Sequence, residues 1–321
     1  MSSLRDLRRR VGTVRSIRQI TGAMKMVAAA RLRRAQEAIL AGRPYARKIE
    51  EILRNVLERA DLARSPLLGL SPGRAILLVV VTADKGLCGA FNANVIREAR
   101  RFMAEHADRP IEILAIGRKG RDHFVRRGIE PRLALVDLFR SLAFECVLEP
   151  RARIIGAFTR GEIGEAHIIH NEFKSALVQN VVTRRLLPVH DAARPREAEP
   201  CRVRPEVANG AARPQEAEPC RARQEVANGA AHQRAMIDFE YDPDANAVFA
   251  ELLPRYVAIE LWIALLESRA AEMAARIGAM GAATTNADGM ISRLTLVANR
   301  LRQAGITREI AEITAGAEAS A

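Results

Sequence analysis

The hydrophobic positions of this chain change period twice. Near the C-terminus, Leu266, Ala270, Met273, Ile277, Met280, Thr284, Ala287, Ile291, Leu294, Ala298 and Leu301 recur at alternating steps of four and three. That is a 3.5-residue repeat, which predicts a long helix held in a left-handed supercoil. At ~1.5 Å per residue the stretch spans roughly 50 Å, more than a small domain can cover, so it needs a partner helix. Asn286-Ala287-Asp288-Gly289 has turn chemistry, but the repeat passes through it unbroken and predicts one helix. A second stripe opens the chain. Leu4, Leu7, Val11, Val14, Ile17, Ile20, Met24, Ala28, Leu32, Ala35 and Ile39 place a helix over about Ser3–Ala41. Two consecutive threes at Val14–Ile17–Ile20 predict local overwinding. Gly42-Arg43-Pro44 predicts a kink or an end, with a second helical piece at Tyr45–Ala60. Each stripe is too narrow to fold alone. Paired antiparallel, they would bury one another.

Between them the period falls. Ala75–Thr82 is a continuous β-branched run, as expected of a strand buried on both faces. Ile111–Ile116, Leu133–Val136, Ala166–His170 and Val178–Leu187 read as further strands. Asn92–Glu105, Arg118–Arg127 and Leu148–Thr159 read as helices. The alternation implies right-handed crossovers and a mostly parallel sheet. The fold class is therefore α/β with long helices: an antiparallel coiled coil of the N- and C-terminal helices plus a Rossmann-like α/β domain. The expected divisions are 1–60 for the N-terminal coiled-coil helix, 70–190 for the α/β domain and 242–321 for the C-terminal coiled-coil helix.

Residues 191–233 stand apart. AARPREAEPCRVRPEVANG at 192–210 is followed by AARPQEAEPCRARQEVANG at 211–229, a tandem duplication identical at sixteen of nineteen positions. Its polar composition has no apolar period and predicts a disordered surface insertion. Ala235–Tyr241 then reads as a strand or extended link, and Asp242-Pro243-Asp244 as a helix start.

Composition sharpens the picture. Aromatics make up 4% of the chain, which favours helices over an all-β fold. The net charge is +12, and residues 1–60 hold fifteen Lys/Arg against five Asp/Glu, so an acidic partner is expected there. Cys88, Cys146, Cys201 and Cys220 form no CxxC, which suits a reducing compartment and argues against a zinc site. The longest apolar run, Ala75–Val81, is too short to span a bilayer. Membrane association would go through partners.

Candidate chemistry is sparse. Asp84-Lys85-Gly86-Leu87-Cys88-Gly89 sits between a strand and a helix, where a phosphate-binding loop would. Its spacing fits neither GxxxxGK[ST] nor GxGxxG, and a tight turn using glycine explains it as well. His167 and His170 fall on opposite faces of a strand and would not share a metal. No catalytic residue, cofactor-binding residue or metal ligand is expected. Equivalent placement of Cys201 and Cys220 in the two repeats leaves a redox bridge open, although duplication alone explains it. The basic N-terminal helix offers an alternative reading, a basic coiled-coil nucleic-acid-binding protein, against which aromatics for base stacking are scarce. An α/β enzyme with helical arms is a third reading, with nucleotide bound by 70–190.

Several motifs occur together. They are Arg18-Gln19-Ile20-Thr21-Gly22-Ala23-Met24-Lys25-Met26-Val27-Ala28-Ala29, Thr82-Ala83-Asp84-Lys85-Gly86-Leu87-Cys88-Gly89, Asn171-Glu172-Phe173-Lys174-Ser175 and Leu301-Arg302-Gln303-Ala304-Gly305-Ile306-Thr307-Arg308-Glu309-Ile310. In this order they resemble the γ subunit of the F-type ATP synthase, from the N-terminus to about Ala319 except for the insertion. The resemblance implies a central-stalk rotor of the F1 sector, without catalytic residues of its own, in a proton-transporting ATP synthase. The implied partners are the α and β subunits around the shaft, with the ε subunit and the c-ring at the α/β domain. The implied location is peripheral, on the cytoplasmic face of the inner membrane. By residue match, Met24, Arg276, Gln303 and Thr307 fall where the family's shaft meets the catalytic hexamer. The β-subunit loops they approach are acidic in the family. The duplicated insertion, with its cysteines, departs from the family pattern.

Overall fold

The computed structural model describes residues 4–57, 71–140, 142–175, 178–189 and 245–318. The tandem duplication with Cys201 and Cys220, the Ala235–Tyr241 link and the Asp242–Asp244 start signal lie outside the described residues. Two helices dominate the rest: α1 over Leu4–Leu57 and α5 over Ala245–Glu318, 54 and 74 residues long. They run antiparallel against each other. Thr21 meets Thr284 with 2.9 Å between hydroxyl oxygens, and Arg18 meets Asp288 at 2.6 Å. Lower down, Ala28, Leu32, Ala35 and Ile39 pack with Leu266, Ala270, Met273 and Ala274. Lower still, Ala46 and Ile49 pack with Ile259 and Ile263.

Two expectations for α1 are corrected. The helix does not end at Gly42-Arg43-Pro44, because Pro44 lies inside it. The overwinding at Ile17–Ile20 is also absent, since those side chains are 48% and 59% exposed while Thr21 is buried. The seam is a regular heptad through Val11, Val14, Arg18, Thr21, Lys25, Ala28, Leu32, Ala35, Ile39, Gly42, Ala46, Ile49 and Leu53. Arg18 and Lys25 hold seam positions that an apolar stripe passes over. The place of Pro44 on the helix explains the first correction. Pro44 and Leu40, whose carbonyl would have accepted from residue 44, are exposed and off the seam. The lost hydrogen bond therefore falls on the solvent side, while burial of Ala46, Ile49 and Leu53 holds the next turns in register.

The remaining elements are β1 (Ala75–Val81), α2 (Phe91–Glu105), β2 (Ile111–Ile116), α3 (Arg118–Val125), β3 (Leu133–Leu135), α4 (Leu148–Thr159), β4 (Ile163–Phe173) and β5 (Gln179–Leu187). The sheet order is β3-β2-β1-β4-β5, with only the β4–β5 pairing antiparallel. β4 is longer than the apolar run Ala166–His170 suggests, because Ile163–Glu165 pair with β1 and Asn171–Phe173 pair with β5.

Every residue of β1 is buried, as its unbroken apolar sequence requires at the centre of a three-layer stack. Leu77, Val79 and Val81 face Leu53 of α1, Ile154 and Phe158 of α4, and Leu253, Val257, Leu261 and Leu265 of α5. Ile76, Leu78 and Val80 face Val95, Ala99 and Phe102 of α2 and Phe124 of α3. The sheet is thus bolted to the lower part of the helix pair, and the upper part projects away from it.

Candidate functional site

The upper helix pair is slender because its seam is built from small residues. Ala270 and Ala274 are buried on α5, and Ala28 and Ala35 on α1. Above them the seam carries a polar stretch at Thr21 and Arg18, and Val11 and Leu7 are buried beyond it. The Lys25 ammonium reaches across α5, where a methyl group added at Gly281 would lie 4.0 Å from it. Residues 301–315 of α5 are exposed throughout, including Leu301, Ile306, Ile310 and Ile313. The antiparallel pairing puts Leu4 level with the start of this stretch, so α5 runs past the first described residue of α1.

The sequence-derived candidates are spread along this rod. Met24 is half-buried beside the seam. Gln303 and Thr307 are exposed one turn apart near the tip, the Thr307 hydroxyl donating to the Gln303 carbonyl at 2.9 Å. Arg276 lies about 40 Å below Gln303 along the helix at ~1.5 Å per residue, and it is only 8% exposed. Its guanidinium pairs with Glu272 at 2.7 Å and donates to the Gly86 carbonyl at 3.2 Å. Burial pushes the Glu272 carboxyl above the usual carboxylate range, with Arg276 pulling it back. Met24 and Arg276 sit within two turns of one level, and the two tip residues are far from both.

The loop 84–89 belongs to this joint. The Asp84 carboxylate accepts from the backbone amides of Arg118 and Asp137, each at 3.0 Å. The Asn92 side chain accepts from the Ala83 amide at 2.8 Å and donates to the Cys88 sulfur at 3.2 Å. Cys88 is buried against Phe91 and Ala271, and burial raises its thiol pKa, with Glu272 adding to the shift. Gly89 takes φ +56, and a methyl group there would stand 4.0 Å from the Ala275 carbonyl and from Ala279. The left-handed backbone of Gly89, rather than a close approach to α5, is what glycine serves here, in keeping with the turn reading.

The sequence missed a second joint. His170, fully buried, reaches Glu267 of α5 at 3.3 Å, and the Asn171 amide donates to the Ser268 hydroxyl at 3.3 Å. Strand parity was the available signal, since Ala166, Ile168 and His170 share the face toward α5. His167 points the other way, to Glu165 and the Phe102 ring. Among the described residues no His, Cys, Asp and Glu side chains cluster as a metal site, and no helix is long and apolar enough to cross a membrane.

The model of the ATP synthase family matches residues 3–319. The ATP synthase gamma chain of Anaeromyxobacter sp. strain Fw109-5 is 42% identical over 99% of both chains. This chain belongs to the ATP synthase γ-chain family. The gamma chain of Desulforamulus reducens is 40% identical, again over 99% of both. The fold has solved counterparts as well. A chain of the Euglena gracilis mitochondrial ATP synthase OSCP/F1/c-ring structure superposes with a TM-score of 0.62 at 18% identity, covering 98% of this chain and 94% of that one. A chain of the Tetrahymena thermophila central stalk/c-ring structure gives 0.54 at 23% identity, covering 82% and 99%. Membership in the γ family leaves the nucleic-acid-binding reading without support.

Proposed function

We propose that this γ-family chain is the central-stalk rotor subunit of the F1 sector of a proton-translocating ATP synthase. The observation that carries the reading is α5, one unbroken helix that runs from the sheet past the first described residue of α1. Such an element transmits torque, where a jointed linker would dissipate it. The part of α1 and α5 that projects above the sheet forms the shaft within the α and β subunits, and the sheet with the helices packed on it forms the body that meets the ε subunit and the c-ring. The insertion at 191–233 follows the last strand of that body. ATP chemistry is done by β with α, and this chain supplies mechanical coupling and no catalytic residue. The complex sits peripherally on the cytoplasmic face of the inner membrane.

Met24, Arg276, Gln303 and Thr307 mark the contacts with the hexamer. Gln303 and Thr307 act directly from the exposed tip and Met24 from beside the seam. Arg276 acts through the loop it holds. The +10 balance of residues 1–60 suits acidic β-subunit loops.

The test is reconstitution with α and β subunits. One copy of this chain per three β, and ATP-driven rotation of a probe on residues 70–190, are the expected results. Equal numbers of this chain and β, or ATP hydrolysis without rotation, would refute the reading. Truncation after Leu301 weakens coupling more than it lowers the melting temperature of the chain. Unchanged ATP synthesis in the truncated complex would contradict the contact assignment at the tip.

A further inference from the structure

Eight polar or charged side chains are buried among the described residues, and six of them lie in two neighbouring groups along the α5 stretch from Glu267 to Arg276 and the end of β4. His170 and Asn171 come from β4, and Glu267, Ser268, Glu272 and Arg276 from α5. β4 and β1 are adjacent parallel strands, with Val80 opposite Ile169. The loop leaving β1, whose Gly86 carbonyl receives Arg276, therefore lies beside His170 and Asn171 at one rim of the sheet.

α5 thus meets the sheet in two ways. Below, from Leu253 to Leu265, it lies on the sheet face through apolar side chains. At the rim, from Glu267 to Arg276, it meets the end of β4 and the loop after β1 through hydrogen bonds, with Arg276 held in place by Glu272 of the same helix. The two contacts resist different motions. Apolar contact is non-directional, and a helix can roll or slide over an apolar face with little change in buried area. Hydrogen bonds have narrow distance and angle limits, so a roll of the helix breaks them and leaves buried polar groups unmatched. Buried polar pairs add little net stability compared with apolar residues of the same volume, and their best-attested use is to fix register.

We propose that this buried polar strip is the key that fixes the azimuth of α5 on the sheet, so that torque reaching residues 70–190 passes to the shaft without slip. His170, Glu267 and Ser268 are positioning residues for coupling. They touch neither nucleotide nor the hexamer, and they act through the orientation of α5. The inference rests on the rotor reading and adds the site at which body and shaft are locked together.

The test uses the reconstituted complex with a probe on residues 70–190 and the shaft tip held by the hexamer. The paired variant His170→Leu/Glu267→Met replaces both partners with apolar groups, and Ser268→Ala removes the second contact. With the key removed, the chain still melts at or above the wild-type temperature. Torsional stiffness, read from the angular fluctuations of the stalled probe, falls, and protons pumped per ATP hydrolysed fall with it. His170→Gln/Glu267→Gln keeps a hydrogen bond between the two positions and restores both readouts. If the apolar pair melts below wild type, the comparison rests on Ser268→Ala and the Gln pair, which leave the packing volume nearly unchanged. Wild-type stiffness and pumping in Ser268→Ala and in a folded apolar pair would overturn the proposal. A wild-type complex that hydrolyses ATP without rotating would overturn the rotor reading instead, so the two failures are distinct.

Discussion

Replacing Arg276 by Met tests the energetics of the joint between the loop and α5. The substitution keeps the aliphatic stem and removes the charge. Two acceptors lose their donor: the Gly86 carbonyl and the Glu272 carboxylate, whose side chain is 5% exposed. Breaking a buried ion pair from one side costs about 3–5 kcal/mol. The carboxyl has an escape, because it can take up a proton instead of remaining charged. At pH 7 that costs about 1.36 kcal/mol for each unit above its ordinary pKa, or about 3.4 kcal/mol over 2.5 units. The bare Gly86 carbonyl adds about 1 kcal/mol. Roughly 3–5 kcal/mol is therefore lost at neutral pH.

The pH dependence carries the sharper signature. Burial already holds the Glu272 pKa above its unfolded value, and loss of Arg276 raises it further. A folded state that binds its proton more tightly than the unfolded chain is favoured below the unfolded pKa and loses that advantage as pH rises through the folded one. The deficit of Arg276→Met against wild type therefore shrinks from pH 7 toward pH 5, by up to about 1.4 kcal/mol per unit. Urea denaturation of the full chain across pH 5–8 measures it. Glu272→Gln/Arg276→Met, with no carboxylate left to bury, recovers most of the loss and flattens the profile. A deficit independent of pH, or one that grows on acidification, would refute the reasoning.

Other substitutions probe separate features. Leu32→Ala opens a cavity in the seam between Ala28, Ala35, Leu266 and Ala270, and should lower unfolding free energy by about 2–5 kcal/mol in the same urea assay. Gly117→Ala places a methyl group 2.0 Å from the Thr82 carbonyl oxygen at φ +97. It should lower the melting temperature by more than the about 1–3 kcal/mol of backbone strain alone would, and an unchanged temperature would contradict the strand-end geometry. The buried, high-pKa thiol of Cys88 should resist iodoacetamide in the native chain and react in urea. Peptide mass spectrometry separates it from Cys146, Cys201 and Cys220, and fast native labelling would disprove its burial.

The parts of the fold legible in the sequence are those governed by one repeating signal. The heptad from Leu266 to Ala298 maps onto buried or half-buried positions without exception, and Asn286–Gly289 is helical because packing at Ala287 outweighs local turn preference. Ala75–Val81 reads as a central strand because both of its faces are covered. What stayed hidden depends on the partner surface. An apolar stripe steers past Arg18, Thr21 and Lys25, although a strict seven-residue step from Val14 to Thr21 to Ala28 finds the seam. Pro44 is a strong breaker in isolation, and only the buried turns beyond it show that it is overruled. The polar joints are harder still. A Glu at 267 looks like a solvent residue until β4 brings His170 within reach, 97 positions away in the chain.

The grip between the two helices gives out only at the tip. It is held by hydrocarbon from Ile49 up to Ala28, by two hydroxyls and an ion pair at Thr21 and Arg18 in which both charged side chains are about half exposed, and by hydrocarbon again at buried Val11 and Leu7, whereas residues 301–315 are exposed throughout. Fraying will therefore begin at the free end and travel downward, and amide exchange should slow stepwise from Ile313 to Leu266. A packed helix pair that ends in a single exposed stretch is compliant where it would be gripped and unyielding where it is driven, so a twist would gather near the top and leave the sheet undisturbed.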